Sequence, residues 1–439
     1  MDADDRARGL SRREFMERSL AAGGAVAIPW IVSSRALGRD GAVAPSERIV
    51  LGAIGIGPRG GGVLATMLPQ PDVQFVAICD VRADRREAVR AAADKQNDNT
   101  DCATYRDLRE MLTREDIDAV LIATGDRWHA LASILAVKSG KDVYSEKPCA
   151  ITFGLCQDLA GTVHRYGRVF QAGTQRRSIA NFRIAADLAH SGKLGRLRTL
   201  HASVYRPHLQ NEWLPAEPEP PRDVVDWDLW LGPAPWRPYN HTYVDGGWRG
   251  YSDFDSGACL MDWGAHTVDL CQWANQADDT LPIEFEASES NITARYANGV
   301  DIVMDFLDTP FGNRDPQYGT SRGTCPVRYE GEEGWVETGD SAEIAVHPES
   351  VRAELPAFER MAGTDPATHT RNFLDCVKSG ALPNAHADVM RRSHIACHAA
   401  AIAWQLGRKL TIDPVTETFI GDDEANRLRF RAMREPWRV

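Results

Sequence analysis

Gly55-Ile56-Gly57-Pro58-Arg59-Gly60 is the stretch of sequence that decides the fold. Residues 48–54 before it form an apolar, β-branched run, which predicts a buried strand. After it we predict a helix over residues 61–68, which ends at Pro69, and a second strand over residues 73–79. Glycines at this spacing allow a tight turn, a close approach to a pyrophosphate and close packing of helix on strand. The loop therefore predicts a Rossmann-type dinucleotide site.

Asp80 follows the second strand, 20 residues after Gly60. A carboxylate at this point accepts hydrogen bonds from the adenosine ribose and repels a 2′-phosphate. It therefore predicts NAD as the cofactor and disfavours NADP. Three arginines follow closely, and we interpret them as the solvated face of the next helix: Arg82, Arg85 and Arg86.

The alternation of strands and helices continues beyond the loop. Helices are predicted over 107–112 and 128–139, with strands at 118–123, 142–145 and 169–172. This alternation predicts a doubly wound parallel α/β sheet over residues 48–172. For residues 173–415 the sequence predicts an α+β domain with a mostly antiparallel open sheet. The prediction rests on strand-like runs at 196–206, 283–294, 300–307 and 335–346 and on helices at 369–379 and 388–407. Residues 416–439 are predicted to be a tail that docks back on the body.

Three motifs along the chain are Ala123-Thr124-Gly125-Asp126-Arg127-Trp128-His129, Glu146-Lys147-Pro148, and Asp262-Trp263-Gly264-Ala265-His266-Thr267-Val268-Asp269. Together they resemble motifs of the Gfo/Idh/MocA family of oxidoreductases, and the resemblance covers about residues 48–415. It implies that the first motif and Glu146 lie at the cofactor, through Thr124, Asp126 and His129. It also implies that Lys147 lies near the nicotinamide and the reacting carbon, and that Asp262 and His266 belong to the active site.

The chemistry of these residues agrees with the resemblance. Oxidation of a secondary alcohol needs a base for the hydroxyl proton, and histidine suits that role near neutral pH. A lysine ammonium stabilises the developing alkoxide. Asp262 and His266 are four residues apart and share one face of a helix, so the carboxylate could bind a substrate hydroxyl or orient the imidazole.

The polar turn at 173–178 and the segment 207–251 are further candidates for the substrate site. Arg176 or Arg177 is a candidate to reach the substrate or cofactor, although a surface loop is the alternative. The segment, which we call the arm, is rich in proline and contains Trp213, Trp227, Trp230, Trp236 and Trp248. Tryptophan rings stack on sugar faces, which suggests a carbohydrate pocket; packing over the sheet or a subunit contact is the alternative.

The N-terminal residues 1–38 predict a targeting signal. Ser11-Arg12-Arg13-Glu14-Phe15-Met16 resembles the twin-arginine export motif, and residues 19–32 form an apolar stretch too short and weak for a stable membrane span. Export in the folded state to the periplasm favours a tightly bound NAD that travels with the protein.

Composition excludes other classes of protein. The net charge is −12 and no basic stripe occurs, so nucleic acid is not an expected partner. Nine cysteines without a CxxC pair predict neither disulfides nor a metal site. We expect a small carbohydrate-like substrate, and the family resemblance implies a homo-oligomer, either a dimer or a tetramer.

Three functions remain open at this point. The main prediction is an NAD-dependent dehydrogenase that acts on a sugar, polyol or glycoside. The alternative is a glycosidase that oxidises C3 transiently so that the leaving group is eliminated. The third is a non-catalytic sugar-binding protein, against which the joint presence of Lys147, Asp262 and His266 argues.

Overall fold

The computed structural model describes residues 43–307 and 323–438. The predicted twin-arginine motif and signal therefore lie outside the described residues. The chain divides into two compact units, residues 1–48 and residues 49–439. In the first unit the described part contains a short 3₁₀ helix, Pro45–Glu47. No helix in the described ranges is long and apolar enough to cross a membrane.

The first sheet of the larger unit is the predicted Rossmann-type sheet. Its six strands run parallel in the order β3-β2-β1-β4-β5-β6. They are β1 Ile49–Ile54, β2 Val73–Cys79, β3 Ala103–Tyr105, β4 Ala119–Ile122, β5 Asp142–Ser145 and β6 Phe170–Ala172. The connecting helices are α1 Pro58–Met67, α2 Ala83–Asn97, α3 Leu108–Leu112, α4 Asp126–Lys138 and α5 Phe153–Tyr166. The central strands are buried on both faces, as their continuous apolar sequences predict.

The second sheet has nine strands in the order β13-β12-β11-β7-β10-β9-β8-β14-β15. Strands β7 and β10 run parallel, and the other neighbouring pairs are antiparallel. The strands are β7 Leu197–Tyr205, β8 Glu284–Ala287, β9 Asn291–Arg295, β10 Asp301–Leu307, β11 Val327–Gly331, β12 Trp335–Thr338, β13 Ile344–His347, β14 Leu410–Asp413 and β15 Thr418–Phe419. The predicted fold class is thus confirmed, whereas the predicted domain boundaries at residues 172 and 415 stay predictions.

The further α-helices of the described residues are α6 Ala180–His190, α7 Trp227–Leu231, α8 His241–Val244, α9 Met261–Ala274, α10 Ala367–Ser379, α11 Ala387–Leu406 and α12 Asp423–Leu428. Of these, α6, α9 and α11 pack against the second sheet, whereas α10 packs against α1 and β1. Short 3₁₀ helices occur at Gln175–Ser178, Gly257–Cys259 and Glu349–Glu354. Helix α9 packs against β7 and α11, so its residues are fixed by the main hydrophobic core.

Several predicted boundaries were wrong for local reasons. The first helix begins at Pro58, not at residue 61, because proline has no N–H to leave unpaired in a first turn. The predicted run 283–294 is two strands, β8 and β9. The run 335–346 is likewise two strands, β12 and β13, which form a hairpin. Strand β11 was not predicted at all.

The arm has a small aromatic core of its own. Trp227 stacks on Trp230 with 4.7 Å between ring centroids, and both rings pack with Tyr243 and Phe254. Arg237 lies at the centre of this cluster and donates to the Tyr243 hydroxyl at 3.2 Å. Because Trp227 and Trp230 are buried, they are not available as the predicted sugar-stacking platform.

The C-terminal residues pack against the body. The Trp437 ring meets the Trp128 ring edge-on, with centroids 4.9 Å apart. The Arg434 guanidinium donates to the backbone oxygen of Asp228 at 2.7 Å. These contacts tie the tail to α4 and to the arm.

Buried histidines should make the fold sensitive to acid. Burial lowers the pKa of His369 to about 4 and the pKa values of His394 and His398 to about 3. The unfolded chain then binds more protons than the folded one below about pH 6.5, so each histidine removes about 1.4 kcal/mol of stability per pH unit as the pH falls toward those values. We expect His398→Gln to reduce this slope by about that amount in urea unfolding curves recorded from pH 6.5 to pH 4.

The control for that measurement is His164→Gln, at an exposed position on α5. It should leave the slope as in the wild-type protein. An unchanged slope in His398→Gln would show that this side chain is not buried in its neutral form.

Candidate active site

The glycine loop is shaped by two close approaches of the backbone. Gly55 has φ of +71°, and a Cβ placed there would lie 2.3 Å from Cγ2 of Thr124. A Cβ on Gly60 would lie 2.7 Å from Cβ of Ala123. Both positions therefore require glycine. Helix α1 follows without a side-chain cap at Gly57, so its first N–H groups remain available to a phosphate.

Asp80 is held rigidly beside this loop. Its carboxylate accepts hydrogen bonds from the backbone N–H of Ile56 at 2.9 Å and of Arg82 at 2.9 Å. Burial raises the pKa of Asp80, against the lowering effect of these bonds. The carboxylate is thus positioned before any ligand arrives.

A cavity of about 400 Å³ joins these features. The glycine loop, Asp80 and Thr124 line one wall, and the arm supplies the other through Leu229, Trp230, Val244 and Trp248. Arg85 was interpreted as a solvated residue, but its guanidinium lies against Gly57 and lines the cavity. The volume falls within the range of about 300–1,000 Å³ for ligand sites, and the glycine cradle, free helix N-terminus and carboxylate suit a dinucleotide.

Replacing the Asp80 carboxylate should change the choice of cofactor. We expect Asp80→Ser to weaken NAD binding by about tenfold, because a charged acceptor is lost, while NADP binding improves relative to NAD. Titration of both cofactors by calorimetry measures this ratio. Asp84→Ser alters an exposed carboxylate on the same turn and should leave the ratio unchanged. Equal losses for both cofactors in Asp80→Ser would contradict a role in discrimination.

A second cavity, of about 360 Å³, adjoins the first and shares Arg59, Thr124 and Arg249 with it. Lys147 and Asp262 meet here, although 115 residues separate them. The Lys147 ammonium donates to Oδ1 of Asp262 at 2.9 Å and to its backbone oxygen at 2.6 Å. Burial raises the pKa of Asp262, but the charges of Lys147 and Arg249 outweigh it and hold that pKa below its ordinary value. Asp262 is therefore ionised.

His266 lines the same cavity one turn further along α9. Its ring is buried, and among the described residues Nδ1 has no hydrogen-bond partner. Burial lowers the pKa of His266 well below its ordinary value, and the cationic Arg176, Lys147 and Arg59 lower it further. The imidazole is consequently neutral and able to accept a proton at physiological pH.

The two candidate arginines lie in different places. Arg176 lines the cavity and pairs with Asp340 through Nε at 2.8 Å, and its buried Nη1 has no partner within residues 43–307 and 323–438. The structure does not bring Arg177 to the cavity, because its guanidinium is buried between Asp269 and Asp278, at 2.7 Å from each. The same ion pair gives Asp269 a structural role.

The other predicted cofactor residues line the second cavity, and Arg59 lines the first as well. Arg59 pairs with Glu146 at 3.0 Å. The His129 ring lies between the backbone oxygens of Pro148, at 2.7 Å, and Thr124, at 3.0 Å, so it joins the first two motifs. Asp126 is buried beside Arg249, and its Oδ2 has no hydrogen-bond partner in the part of the chain that the structure describes. Glu146, His129 and Asp126 all line the second cavity.

Five residues that line the second cavity were not predicted as site residues. They are Ala123, Gln175, Arg249, Trp263 and Thr364. Ala123, Gln175 and Trp263 are next to predicted residues in the sequence, which was a usable signal. Arg249 and Thr364 had none, because folding from distant segments brings them here.

A glycine-lined cleft for a dinucleotide, next to a cavity with a lysine, a neutral histidine and a carboxylate, defines a dinucleotide-dependent oxidoreductase scaffold. Two family profiles match the chain: "Oxidoreductase family, NAD-binding Rossmann fold" over residues 49–174, and "Oxidoreductase family, C-terminal alpha/beta domain" over residues 208–314 and 326–439. The chain therefore belongs to the Gfo/Idh/MocA oxidoreductase family, and its first sheet is part of an NAD-binding domain.

Individual relatives match part of the chain. A glycosyl hydrolase family 109 protein of Saccharopolyspora erythraea is 30% identical over 183 residues, which is 38% of this chain and 39% of the relative. Inositol 2-dehydrogenase of Salmonella typhimurium is 29% identical over 156 residues, 35% of this chain and 45% of the relative. The chain thus aligns with less than half of either relative. The structure of aldose-aldose oxidoreductase from Caulobacter crescentus superposes with a TM-score of 0.58 at 16% identity, covering 83% of this chain and all of that one, and so shares its fold.

Proposed function

We propose that this protein is an NAD-dependent oxidoreductase that acts on a secondary hydroxyl of a sugar, polyol or glycoside. The observation that supports it is the presence of Lys147, Asp262 and His266 in one cavity that adjoins the NAD cleft. Bound NAD accepts or returns a hydride. The chain is similar to inositol 2-dehydrogenase and to aldose-aldose oxidoreductase, and both names indicate a substrate of this class.

Each residue has a defined task in this proposal. The neutral His266, which lines this cavity, takes the hydroxyl proton. The Lys147 ammonium stabilises the negative charge that develops on the substrate oxygen. Asp262 fixes the ammonium by two hydrogen bonds from it, and its remaining oxygen is available to a substrate hydroxyl. Trp263 provides an aromatic surface in the same cavity.

The direct test is a panel of sugars and polyols added to the NAD-loaded protein, with cofactor reduction followed by ultraviolet absorbance. Absorbance should rise with at least one carbohydrate. The Lys147→Met protein, loaded with NAD to the same extent, is the control. If no compound reduces the cofactor faster in the wild-type protein than in this control, the proposal fails.

A glycosidase that uses NAD transiently is the second candidate. The similarity to a glycosyl hydrolase family 109 protein favours it. Oxidation at C3 would acidify the C2 proton, and loss of that proton would eliminate the leaving group from C1. Water would then add to C1 while a proton returns to C2, and return of the hydride to C3 would regenerate NAD without net redox change. Release of the aglycone from aryl glycosides without accumulation of reduced cofactor would identify this activity; net reduction without release would identify the dehydrogenase.

We also propose export to the periplasm in the folded state, with NAD already bound. The twin-arginine motif at Arg12-Arg13 supports this, and the nine free, buried cysteines are consistent with folding in a reducing compartment. Fusion of residues 1–38 to a reporter tests it: Arg12→Lys/Arg13→Lys should abolish export, whereas export that persists would refute the pathway.

We further propose that the protein forms a homo-oligomer, either a dimer or a tetramer. The nine-stranded sheet leaves a broad polar face that includes His201 and Asp305, which pair at 2.9 Å. Light scattering of the purified protein measures the state directly, and a monomer at micromolar concentration would overturn this part.

A further inference from the structure

The arm contacts the Rossmann-type half of the protein in two places beside the NAD cleft. Just beyond Asp80, the backbone of Ala83 donates to Val224 at 2.9 Å, and Asp226 donates to Val81 at 3.1 Å. The arm thus adds a short antiparallel bridge, Arg82 to Val225, to the segment that follows β2. This bridge crosses the end of the cleft where Asp80 is placed for the adenosine ribose.

Charged side chains strengthen this crossing. Arg82 pairs with Asp245 at 2.9 Å, and Arg106 pairs with the buried Asp226 at 3.1 Å. The Arg86 guanidinium donates to the backbone oxygen of Asp223 at 3.1 Å. Three arginines of the Rossmann-type half thus contact three residues of the arm, in addition to the two backbone hydrogen bonds.

The other end of the cleft is held by Arg127 and Trp128. The Arg127 guanidinium lies 3.5 Å from the Trp230 ring centroid, and its Nε donates to the backbone oxygen of Trp230 at 2.7 Å. Trp128 donates from Nε1 to the oxygen of Leu229 at 2.9 Å. Because Arg127 is fully buried, this cation–π contact is not screened by water.

Between these two crossings, arm residues form the outer wall of the cleft. Val244, Asp245, Gly246 and Trp248 line it opposite the glycine loop. The wall is rigid, since Tyr243 and Val244 belong to the aromatic core around Arg237. The arm thereby covers one side of the cleft and narrows the route by which a dinucleotide seated on the loop would leave.

We propose that the arm, residues 207–251, is a clamp that retains NAD, with Trp248 as the wall and the Arg82–Asp245 pair as its latch at the adenosine end. This inference rests on the NAD-linked function proposed above. It makes NAD a resident group, so the reduced cofactor must return its hydride within the same protein, to a carbonyl compound that also takes up a proton.

The test measures cofactor exchange and needs no carbohydrate. The protein is loaded with NAD, desalted and mixed with excess isotopically labelled NAD; bound cofactor is then followed by native mass spectrometry. Wild-type protein should keep its original NAD through desalting. We expect Trp248→Ala/Asp245→Ala to exchange at least about tenfold faster, a change equivalent to about 1.4 kcal/mol.

Trp236→Ala is the matched control, because Trp236 is on the same arm, is exposed and contacts Trp213 rather than the cleft. It should exchange as the wild-type protein does. Asp245→Ala alone alters an exposed side chain and keeps the test valid if the double variant does not fold; it should exchange at an intermediate rate.

Two results would overturn the clamp: exchange in wild-type protein within the desalting step, or equal rates in the wild-type and Asp245→Ala proteins. Failure of the proposed function looks different. A protein that retains NAD but oxidises no carbohydrate leaves the clamp intact, whereas one that oxidises sugars with freely exchanging NAD refutes the clamp alone.

Discussion

Lys147→Met should lower kcat by roughly 10²- to 10³-fold, the typical effect of removing one preorganised donor to a developing oxyanion. Methionine keeps an unbranched apolar stem but removes the ammonium that donates to Asp262 at 2.9 Å. Asp262 would keep Arg249, at 3.2 Å, as a partner, so we expect the fold to survive. Single-turnover reduction of bound NAD by a substrate sugar, followed by absorbance, measures the loss.

Two comparisons make the Lys147 result specific. Lys138→Met, at an exposed lysine near the end of α4, should retain wild-type turnover. Cofactor content of the Lys147→Met protein should equal that of the wild-type protein, because the lysine is absent from the lining of the NAD cavity. A kcat within about threefold of wild type would remove Lys147 from the mechanism.

His266→Gln should also lower turnover, by roughly 10²- to 10⁴-fold, because an amide cannot take the hydroxyl proton. Burial, aided by three nearby cations, lowers the pKa of His266 well below 6.5. Only the neutral ring is a base, and in the free protein solvent protonates the ring only as the pH falls to that lowered pKa. Protonation of His266 should therefore not lower wild-type kcat/KM near pH 6.5. The fall of kcat/KM on the acid side of the profile, its acid limb, should instead occur at a lower pH.

A pH profile separates the base from a structural role. In His266→Gln the residual rate should rise with hydroxide concentration and lack the acid limb of the wild-type protein. His347→Gln, at an exposed position at the end of β13, is the control and should reproduce the wild-type profile. If His266→Gln loses rate but keeps the wild-type acid limb, another group is the base.

Local sequence patterns predicted most of the first sheet. Buried parallel strands are continuous apolar runs, and glycine and proline mark the turns between them, so β1, β2, β4 and β5 could be placed within a residue or two. The second sheet was harder. Its strands are short: β11 alternates apolar and polar residues over only five positions, Val327–Gly331, and it pairs with β7, more than a hundred residues earlier in the chain.

The site was predicted unevenly for a related reason. Residues inside contiguous motifs, such as Lys147 and His266, were named, and the structure places both at one cavity. Arg177 was named with Arg176 because the two are adjacent, yet neighbouring residues in a 3₁₀ turn point in different directions. Arg249 was missed, because nothing near it in the sequence indicates its approach to Asp262 and Asp126.

The sequence by itself determined the NAD-binding half of this protein. A turn that needs a positive φ at Gly55, close contact at Gly60 and a carboxylate at the end of β2 are short-range requirements, and short-range requirements are visible as residue types at fixed spacing. The same holds for Asp262 and His266, which share a helix face.

Only the tertiary structure decided which residues of the arm cover the NAD cleft and which charged side chains pair with each other. The Arg82–Asp245 pair spans 163 residues and the Lys147–Asp262 pair spans 115. Such contacts arise from the packing of whole elements, and no local pattern specifies them. The tryptophans show the consequence: their number in the arm suggested a sugar pocket, and packing assigned Trp227 to the arm's own core and Trp230 and Trp248 to the wall of the NAD cleft.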